Sequence, residues 1–374
     1  MIETPIVITN GIVYTGTETV NDKAVLIEGN IIKGLIRPEE IPTTATILDA
    51  HGNFVSPGLI DLQIYGAGGY LFSAKPSKAA IDGIVNTLLA SGTTSFMLTL
   101  ATNSLALFGE ALDISKANPH PALLGLHFEG PYLNPKKRGA HPTAYIRAPD
   151  RSEIKTLLDR SNGCLRMMTI APELFGEDNI RLLLDNGILL SAGHSDATMK
   201  QAMQGFDYGI QAATHLFNAM SPFHHREPGL PGAVFQHNGA CASIIADGIH
   251  VDYQTLAISK KIVKERLFLI TDAVTDTEEG LYTHVFKGDR YTLPDGTLSG
   301  SALTLLQAVA NCVRHVDIPL DEALRMATLY PARLIGAKDL GRIAPGYKAN
   351  IIVFDTSYTI KQVVFEGETQ PILR

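Results

Sequence analysis

The sequence predicts an α/β chain, a (β/α)8 TIM-like barrel carrying a small β-sandwich domain formed from both termini. Three observations predict it. Eight short apolar runs between residues 59 and 272 alternate with helical patterns, as parallel strands covered by helices do. The first fifty-odd residues and the last thirty alternate apolar positions with turn residues and show no long helical pattern. Finally, no glycine-rich phosphate fingerprint opens the first helix. Gly66, Gly68 and Gly69 lack GxGxxG spacing, which disfavours a doubly wound open sheet.

Taken in order, the chain begins with PIVITNGIVYTG and KAVLIEGNIIKGLI, where Asn10-Gly11 and Gly29-Asn30 mark hairpin or turn positions. Barrel strands are expected over 59–65, 94–100, 123–129, 165–171, 188–194, 210–215, 243–247 and 267–272. A helix is expected over 77–90, with Ile81, Ile84, Val85, Leu88 and Leu89 at helical spacing and Gly92 as its stop. Further helices are expected over 178–186 before Gly187, over 301–313 and over 321–329. The closing stretch NIIVFDTSYTIKQVVFEG returns to the β pattern. Chain termini commonly lie close together, so the two β-rich ends are expected to pair. That divides the chain into 1–56 and 345–374, forming the sandwich, around a barrel over 57–344.

With 374 residues, 45% hydrophobic and 18% charged, the chain is long enough for one large core and a smaller one. A formal net charge of −7 argues against a nucleic-acid partner, which selects for a basic stripe. Cys164, Cys241 and Cys312 are odd in number and lack CxxC spacing, as expected of reduced thiols in a cytoplasmic protein. The N-terminal stretch has no basic segment followed by an apolar core, and no apolar run approaches the ~18 residues of a membrane span, so no membrane partner is expected.

Polar groups stand where four of the apolar runs stop: Glu129 after ALLGLHF, His194 after GILLSAG, His215 after GIQAAT and Asp272 after RLFLIT. Each alone has a plain reading. Glu129 would be a salt-bridge partner, either histidine a cap or hydrogen-bond group, and Asp272 a helix cap or a group that orients a ligand. Polar groups that end separate parallel strands, however, meet at one face of a barrel. One carboxylate and two imidazoles there leave a fourth coordination position open, as catalytic rather than structural zinc sites do. Asp272 beside them is a candidate base for a bound water. His141 in KKRGAHP is either a surface histidine or a donor to the oxyanion of a tetrahedral intermediate. In FNAMSPFHHREPG, the group His224, His225 and Arg226 is either a solvated loop or an anion clamp, and His250 in ADGIHVD could join it. There is no GxSxG elbow, HExxH helix or Walker loop. These features imply a metal-dependent hydrolase.

The stretches PGLIDLQIYGAGG, GLHFEGPYLNPKKRGAHP, LSAGHSDAT, ATHLFNAMSP, ADGIHVD, LITDA, GTLSGSALTL and RMATLYPARLIG resemble, from end to end, the N-acetylglucosamine-6-phosphate deacetylase family of the amidohydrolase superfamily. GRIAPGYKANIIVFD is similar to that superfamily's return into its small β domain. The resemblance implies hydrolysis of the acetamide of N-acetyl-D-glucosamine 6-phosphate in amino-sugar catabolism. The same chemistry on N-acetylgalactosamine 6-phosphate, or a non-catalytic sugar-phosphate sensor on the same fold, are the alternatives. It also implies one divalent metal ion per subunit, zinc first, then iron, manganese or cobalt, on Glu129, His194 and His215. Asp272 is implied as general acid and base, and His141 as the contact to the acetyl carbonyl. Sugar and phosphate contacts are implied for Ala140, Asn218, Ala219, Arg226, His250, Leu298, Ser299 and Gly300. A homodimer or dimer of dimers follows, with Arg226 reaching the neighbouring active site. One departure stands out. Most amidohydrolases carry His-x-His at the end of the first strand for a second metal, whereas this chain has Gln63-Ile64-Tyr65. An amide oxygen and a phenol are poor ligands at neutral pH, which supports a one-metal site.

Overall fold

A computed structural model describes residues 4–276 and 280–372. Its central feature is an eight-stranded sheet whose neighbours run in sequence order, from Leu59–Ile64 through Thr93–Ala101, Leu123–Glu129, Leu165–Ile170, Leu189–Ala192, Ala212–Ala213 and Cys241–Ile244 to Leu267–Leu269. From the second strand to the eighth, each ladder between successive strands is parallel. The first and last strands meet just past their ends. The Asp272 N–H donates to Gln63 O at 3.0 Å and the Tyr65 N–H to Ala273 O at 3.0 Å, which brings the sheet close to a closed barrel. Strand residues are buried almost throughout because helices cover the outside while side chains fill the inside.

The expected strands are all present, but the last four are shorter than the apolar runs. Pairing stops at Ala192, Ala213, Ile244 and Leu269, so His194, His215 and Asp272 lie two or three residues beyond their strands rather than at the strand ends. The helix expected over 77–90 is Lys78–Ala90, and Gly92 follows it with a left-handed φ of 88°. The helix expected over 178–186 is Glu177–Asp185. The one expected over 321–329 is Leu320–Ala327, followed by Leu329–Leu334. A correction is needed at 301–313. The helix begins at Leu305, capped by Thr304, because Leu298–Ser301 is a strand pairing with Arg290–Thr292. Ser301 is tied to the end of the eighth strand, its N–H donating to Asp272 O at 3.1 Å and its hydroxyl to Thr271 O at 2.6 Å.

Both termini enter one six-stranded sheet. Ile351–Phe354 runs antiparallel to Phe54–Pro57, which runs parallel to Ile12–Tyr14. A four-stranded sheet holds Ile6–Thr9, Ala24–Glu28, Ile31–Ile36 and Thr46–Asp49. Ile8, Val25, Ile27 and Ile32 from one sheet pack with Val13, Val55, Ile351, Val353 and Val364 from the other. Gly29-Asn30 is a two-residue hairpin loop. Asn10-Gly11 is a turn of another kind. Asn10 takes φ 54° and the chain crosses from one sheet to the other.

Contacts divide the chain into two compact units, one of Leu62–Val85 with Phe96–Leu303, the other of Met1–Asp61, Asn86–Ser95 and Thr304–Arg374. Among the described residues no helix is long and apolar enough to cross a membrane, and Cys164, Cys241 and Cys312 form no disulfide.

Candidate metal centre and cavity

Side chains alternate along a strand, so His127 and Glu129 share the barrel interior, as do Gln63 and Tyr65. Past the strands, His194, His215 and Asp272 take left-handed φ values of 47°, 38° and 54°. Such a backbone costs a non-glycine residue about 1–3 kcal/mol and persists only where neighbours over-determine it. They do so here. The His215 N–H donates to Ser243 Oγ at 2.8 Å. His194 O accepts from the Asn134 N–H at 2.9 Å. Asp272 is held through both its N–H and its carbonyl.

These turns bring Glu129, His194 and His215 together. His215 Nε2 lies 3.0 Å from Glu129 Oε1, His194 Nε2 lies 3.3 Å from the same oxygen, and the two Nε2 atoms are 3.1 Å apart. Donors bound tetrahedrally at ~2.0–2.1 Å stand about 3.3 Å from one another, so the triangle has the dimensions of three corners around a zinc-sized ion. The tautomer of His194 agrees. His194 Nδ1 faces the carbonyl of Lys137 at 2.9 Å, which can only accept, so Nδ1 carries the proton and Nε2 presents its lone pair. Two imidazole Nε2 atoms facing each other share at most one hydrogen, whereas a cation satisfies both. The buried His215 Nδ1 has no hydrogen-bond partner.

His141 sits in the same cluster, and one of its ring nitrogens, one of His194 and a Glu129 oxygen all lie within 4.8 Å of one another. Its own bonding favours a different part. The backbone N–H of Thr102 donates to His141 Nδ1 at 3.1 Å, so Nδ1 is bare and Nε2 carries the hydrogen, which it donates to Glu129 Oε2 at 3.0 Å. Burial, with His194 nearby, holds the His141 pKa down to about 4, so this is a neutral donor at pH 7. The two Glu129 oxygens therefore differ. Oε2 accepts from His141 and, at 2.5 Å, from the Tyr65 hydroxyl, while Oε1 faces the two histidines. Gln63 Nε2 lies 3.0 Å from Glu129 Oε1 and 2.7 Å from Asp272 Oδ1. Gln63 and Tyr65 thus stand as hydrogen-bond donors where His-x-His would hold a second ion.

Burial alone would raise the Glu129 carboxyl, but the facing imidazoles of His194, His141 and His215 hold it well below the usual carboxylate range. For Asp272 burial prevails. It pushes the carboxyl above its ordinary value, with His215 opposing and Glu129 adding to the rise. A carboxylate lifted toward neutrality is better matched to taking up and returning a proton.

A cavity of about 230 Å³ opens over these groups. Its lining includes Glu129, Ala140, His141, His194, His215, Asn218, Ala219, His250, Asp272, Leu298, Ser299 and Gly300. The residues singled out from the sequence are thus brought together except His224, His225 and Arg226, which lie exposed on the 222–227 loop and are not part of this chain's own cavity lining. His250 Nδ1 pairs with Asp247 Oδ2 at 2.6 Å, which turns Nε2 away from that carboxylate.

Sequence reasoning missed Tyr282 and His284 in the lining, for they follow no strand-end pattern. It also missed His127, two residues before Glu129, although strand alternation signals its inward direction. His127 Nδ1 faces Leu62 O at 3.1 Å and therefore donates, so Nε2 accepts from Thr169 at 2.8 Å. Thr169 then accepts from Thr214 at 2.7 Å and Thr214 from Ser191 at 2.6 Å. This buried chain of hydrogen bonds runs through strands three to six.

Comparison with known proteins agrees with the geometry. Residues 54–371 match the model of the amidohydrolase family, and residues 7–55 that of the NagA composite domain. The chain is 36% identical to the N-acetylglucosamine-6-phosphate deacetylase of Haemophilus influenzae, over 96% of this chain and 97% of that protein. It is 32% identical to the N-acetylgalactosamine-6-phosphate deacetylase of Escherichia coli O157:H7, over 88% and 90%. The crystal structure of N-acetylglucosamine-6-phosphate deacetylase from Pasteurella multocida superposes with a TM-score of 0.94 at 34% identity, over 98% of this chain and 99% of that one.

Proposed function

We propose that this chain, which belongs to the amidohydrolase family, hydrolyses the acetamide of N-acetyl-D-glucosamine 6-phosphate to D-glucosamine 6-phosphate and acetate. The observation that carries this reading is the placing of an acid–base carboxylate, Asp272, and a neutral N–H donor, His141, beside one triangle of metal-ligand atoms.

Glu129, His194 and His215 would hold the ion. A divalent metal there, zinc first among the candidates, supplies a Lewis acid for the amide carbonyl and lowers the pKa of water toward ~7. Asp272 takes the proton from the attacking water and returns it to the departing amine, so the C–N bond breaks with a neutral leaving group. The His141 Nε2–H donates to the oxygen that gains charge as the carbonyl carbon becomes tetrahedral. With Gln63 and Tyr65 donating where a second ion would sit, one ion per chain suffices.

Ala140, Asn218, Ala219 and the 298–300 turn contact the sugar, and His250 its phosphate. Arg226 serves the neighbouring subunit of a homodimer or dimer of dimers, which accounts for its exposure outside its own cavity. The catalytic segment is 57–344, with 1–56 and 345–374 forming the sandwich, and the protein works in the cytoplasm. The relative that acts on the galactosamine epimer makes that sugar the second reading. Acetate release, measured with added metal on both phosphorylated epimers and on unphosphorylated N-acetylglucosamine, tests the assignment. Faster turnover of the gluco phosphate supports it, and faster turnover of the galacto epimer replaces it. No acetate from either phosphate removes the enzymatic reading in favour of a sensor.

A further inference from the structure

We propose that the apolar cluster beside the reacting groups is an acyl pocket, sized for the methyl of an acetyl group, and that it decides which N-acyl amino sugars the chain accepts. The pocket has this role only if the chain cleaves amides as proposed above.

Tyr65, Leu71, Ala101, Val274 and Tyr282 pack into one cluster, separate from the sandwich core. All five also line the cavity that holds Glu129, His141 and Asp272. Each is 4–8% exposed. They are therefore packed core residues that still show a sliver of surface to the cavity. Each side of this wall adjoins a reacting residue. The Tyr65 hydroxyl donates to Glu129. Ala101 is the register partner of Glu129 across the second and third barrel strands. The Tyr282 ring stands edge-on to His141, with centroids 6.4 Å apart. Val274 follows Asp272 by two residues. The two rings are also fixed at their polar ends, Tyr65 by Glu129 and Tyr282 by the carbonyl of Thr102, to which its hydroxyl donates at 2.7 Å.

The rest of the cavity lining carries the polar side chains of Asn218, His250, His284 and Ser299, interspersed with Ala140, Ala219 and Leu298. An N-acetyl amino-sugar phosphate has a single apolar end, the methyl on the carbonyl carbon. Its remaining periphery is hydroxyl, ring oxygen and phosphate. With the carbonyl oxygen toward His141 and the attacked face toward Asp272, that methyl meets the apolar wall between them. A hydrophobic pocket discriminates about 10–200-fold per methylene, and an added hydroxyl it cannot hydrogen-bond is rejected by about 100-fold. N-acetyl, N-formyl, N-propionyl and N-glycolyl versions of the sugar phosphate are thus ranked by this wall. The acetyl form comes first and the glycolyl form pays for an unpartnered hydroxyl.

The test measures kcat/KM for these four N-acyl glucosamine 6-phosphates. Leu71→Ala opens the pocket and is expected to shift the propionyl-to-acetyl ratio upward by about tenfold or more. Val274→Ala, a smaller truncation, carries the same expectation if Leu71→Ala fails to fold by circular dichroism. Ala101→Val fills the pocket and is expected to lower the acetyl-to-formyl ratio by about tenfold. Wild-type protein that cleaves the acetyl sugar, while every folded variant keeps all ratios within twofold, overturns the acyl pocket and leaves the deacetylase reading standing. Wild-type protein that releases no acid from any of the four overturns the deacetylase reading itself.

Discussion

Replacing His141 separates a hydrogen-bond donor from a metal ligand, two roles that its position alone allows. In the structure both ring nitrogens are engaged, Nδ1 accepting from the Thr102 N–H at 3.1 Å and Nε2 donating to Glu129 Oε2 at 3.0 Å. A ligand would need its lone pair on the nitrogen that faces the centre, and here that nitrogen bears the hydrogen. Removal of one oxyanion donor costs about 10²–10³ in kcat, or about 2.7–4 kcal/mol. His141→Ala is therefore expected to lose that much turnover while retaining about one equivalent of metal by elemental analysis. The Thr102 N–H loses its acceptor in a buried setting, which costs about 1–3 kcal/mol of stability, so Tm falls as well and kinetics belong well below it. His141→Gln places an amide N–H near the vacated Nε2–H and should return part of the rate with full metal content. The control variants His194→Ala and His215→Ala, which remove proposed ligands, should lose the metal. If His141→Ala purifies without metal and excess ion restores its turnover, His141 is a ligand and the tautomer reasoning is wrong.

Asp272→Asn keeps the shape of the side chain but cannot take the water's proton. It is expected to bind metal and lose about 10²–10⁴-fold in kcat, and near wild-type turnover would assign the base elsewhere. Arg226→Ala should lower kcat/KM for the phosphorylated sugar by roughly ten- to a hundred-fold, from a charge-assisted contact of about 1.5–3 kcal/mol, and change little for the free sugar. Mixed dimers of Arg226→Ala with Asp272→Asn should regain one working site, and no recovery in demonstrated heterodimers would confine the arginine to its own chain. Gly300→Ala should destabilise the protein by about 1–3 kcal/mol, read as a lowered denaturation midpoint, because the residue has φ 151° and a Cβ there would lie 2.7 Å from Val274 Cγ1. An unchanged midpoint would show that the 298–301 strand can shift.

The barrel and the face on which its polar groups gather were legible in the residue pattern alone. Parallel strands buried on both sides must be short apolar runs, and a carboxylate or imidazole at the end of such a run has nowhere to go but the shared mouth. That logic singles out Glu129, His194, His215 and Asp272, which the structure brings to one cavity, and the β pattern of both ends points to the shared sandwich sheet. The rest depends on hydrogen bonds between residues far apart in the chain, which no local pattern reveals. The left-handed turns at His194, His215 and Asp272 are set by Asn134, Ser243 and Ser301, none of which a local pattern connects to them. Whether His141 donates or ligates rests on one backbone N–H, that of Thr102, thirty-nine residues away. The part played by Tyr65 is likewise invisible in its own segment. A phenol is a poor ligand wherever it stands, but it becomes a donor that fixes one oxygen of Glu129 only because the first and third strands lie in one barrel. The start of the helix after the eighth strand, at Leu305 rather than 301, is likewise set by distant partners. Leu298–Ser301 is held extended by Arg290–Thr292 and by the carbonyls of Thr271 and Asp272, and partners across a sheet outweigh local helical preference.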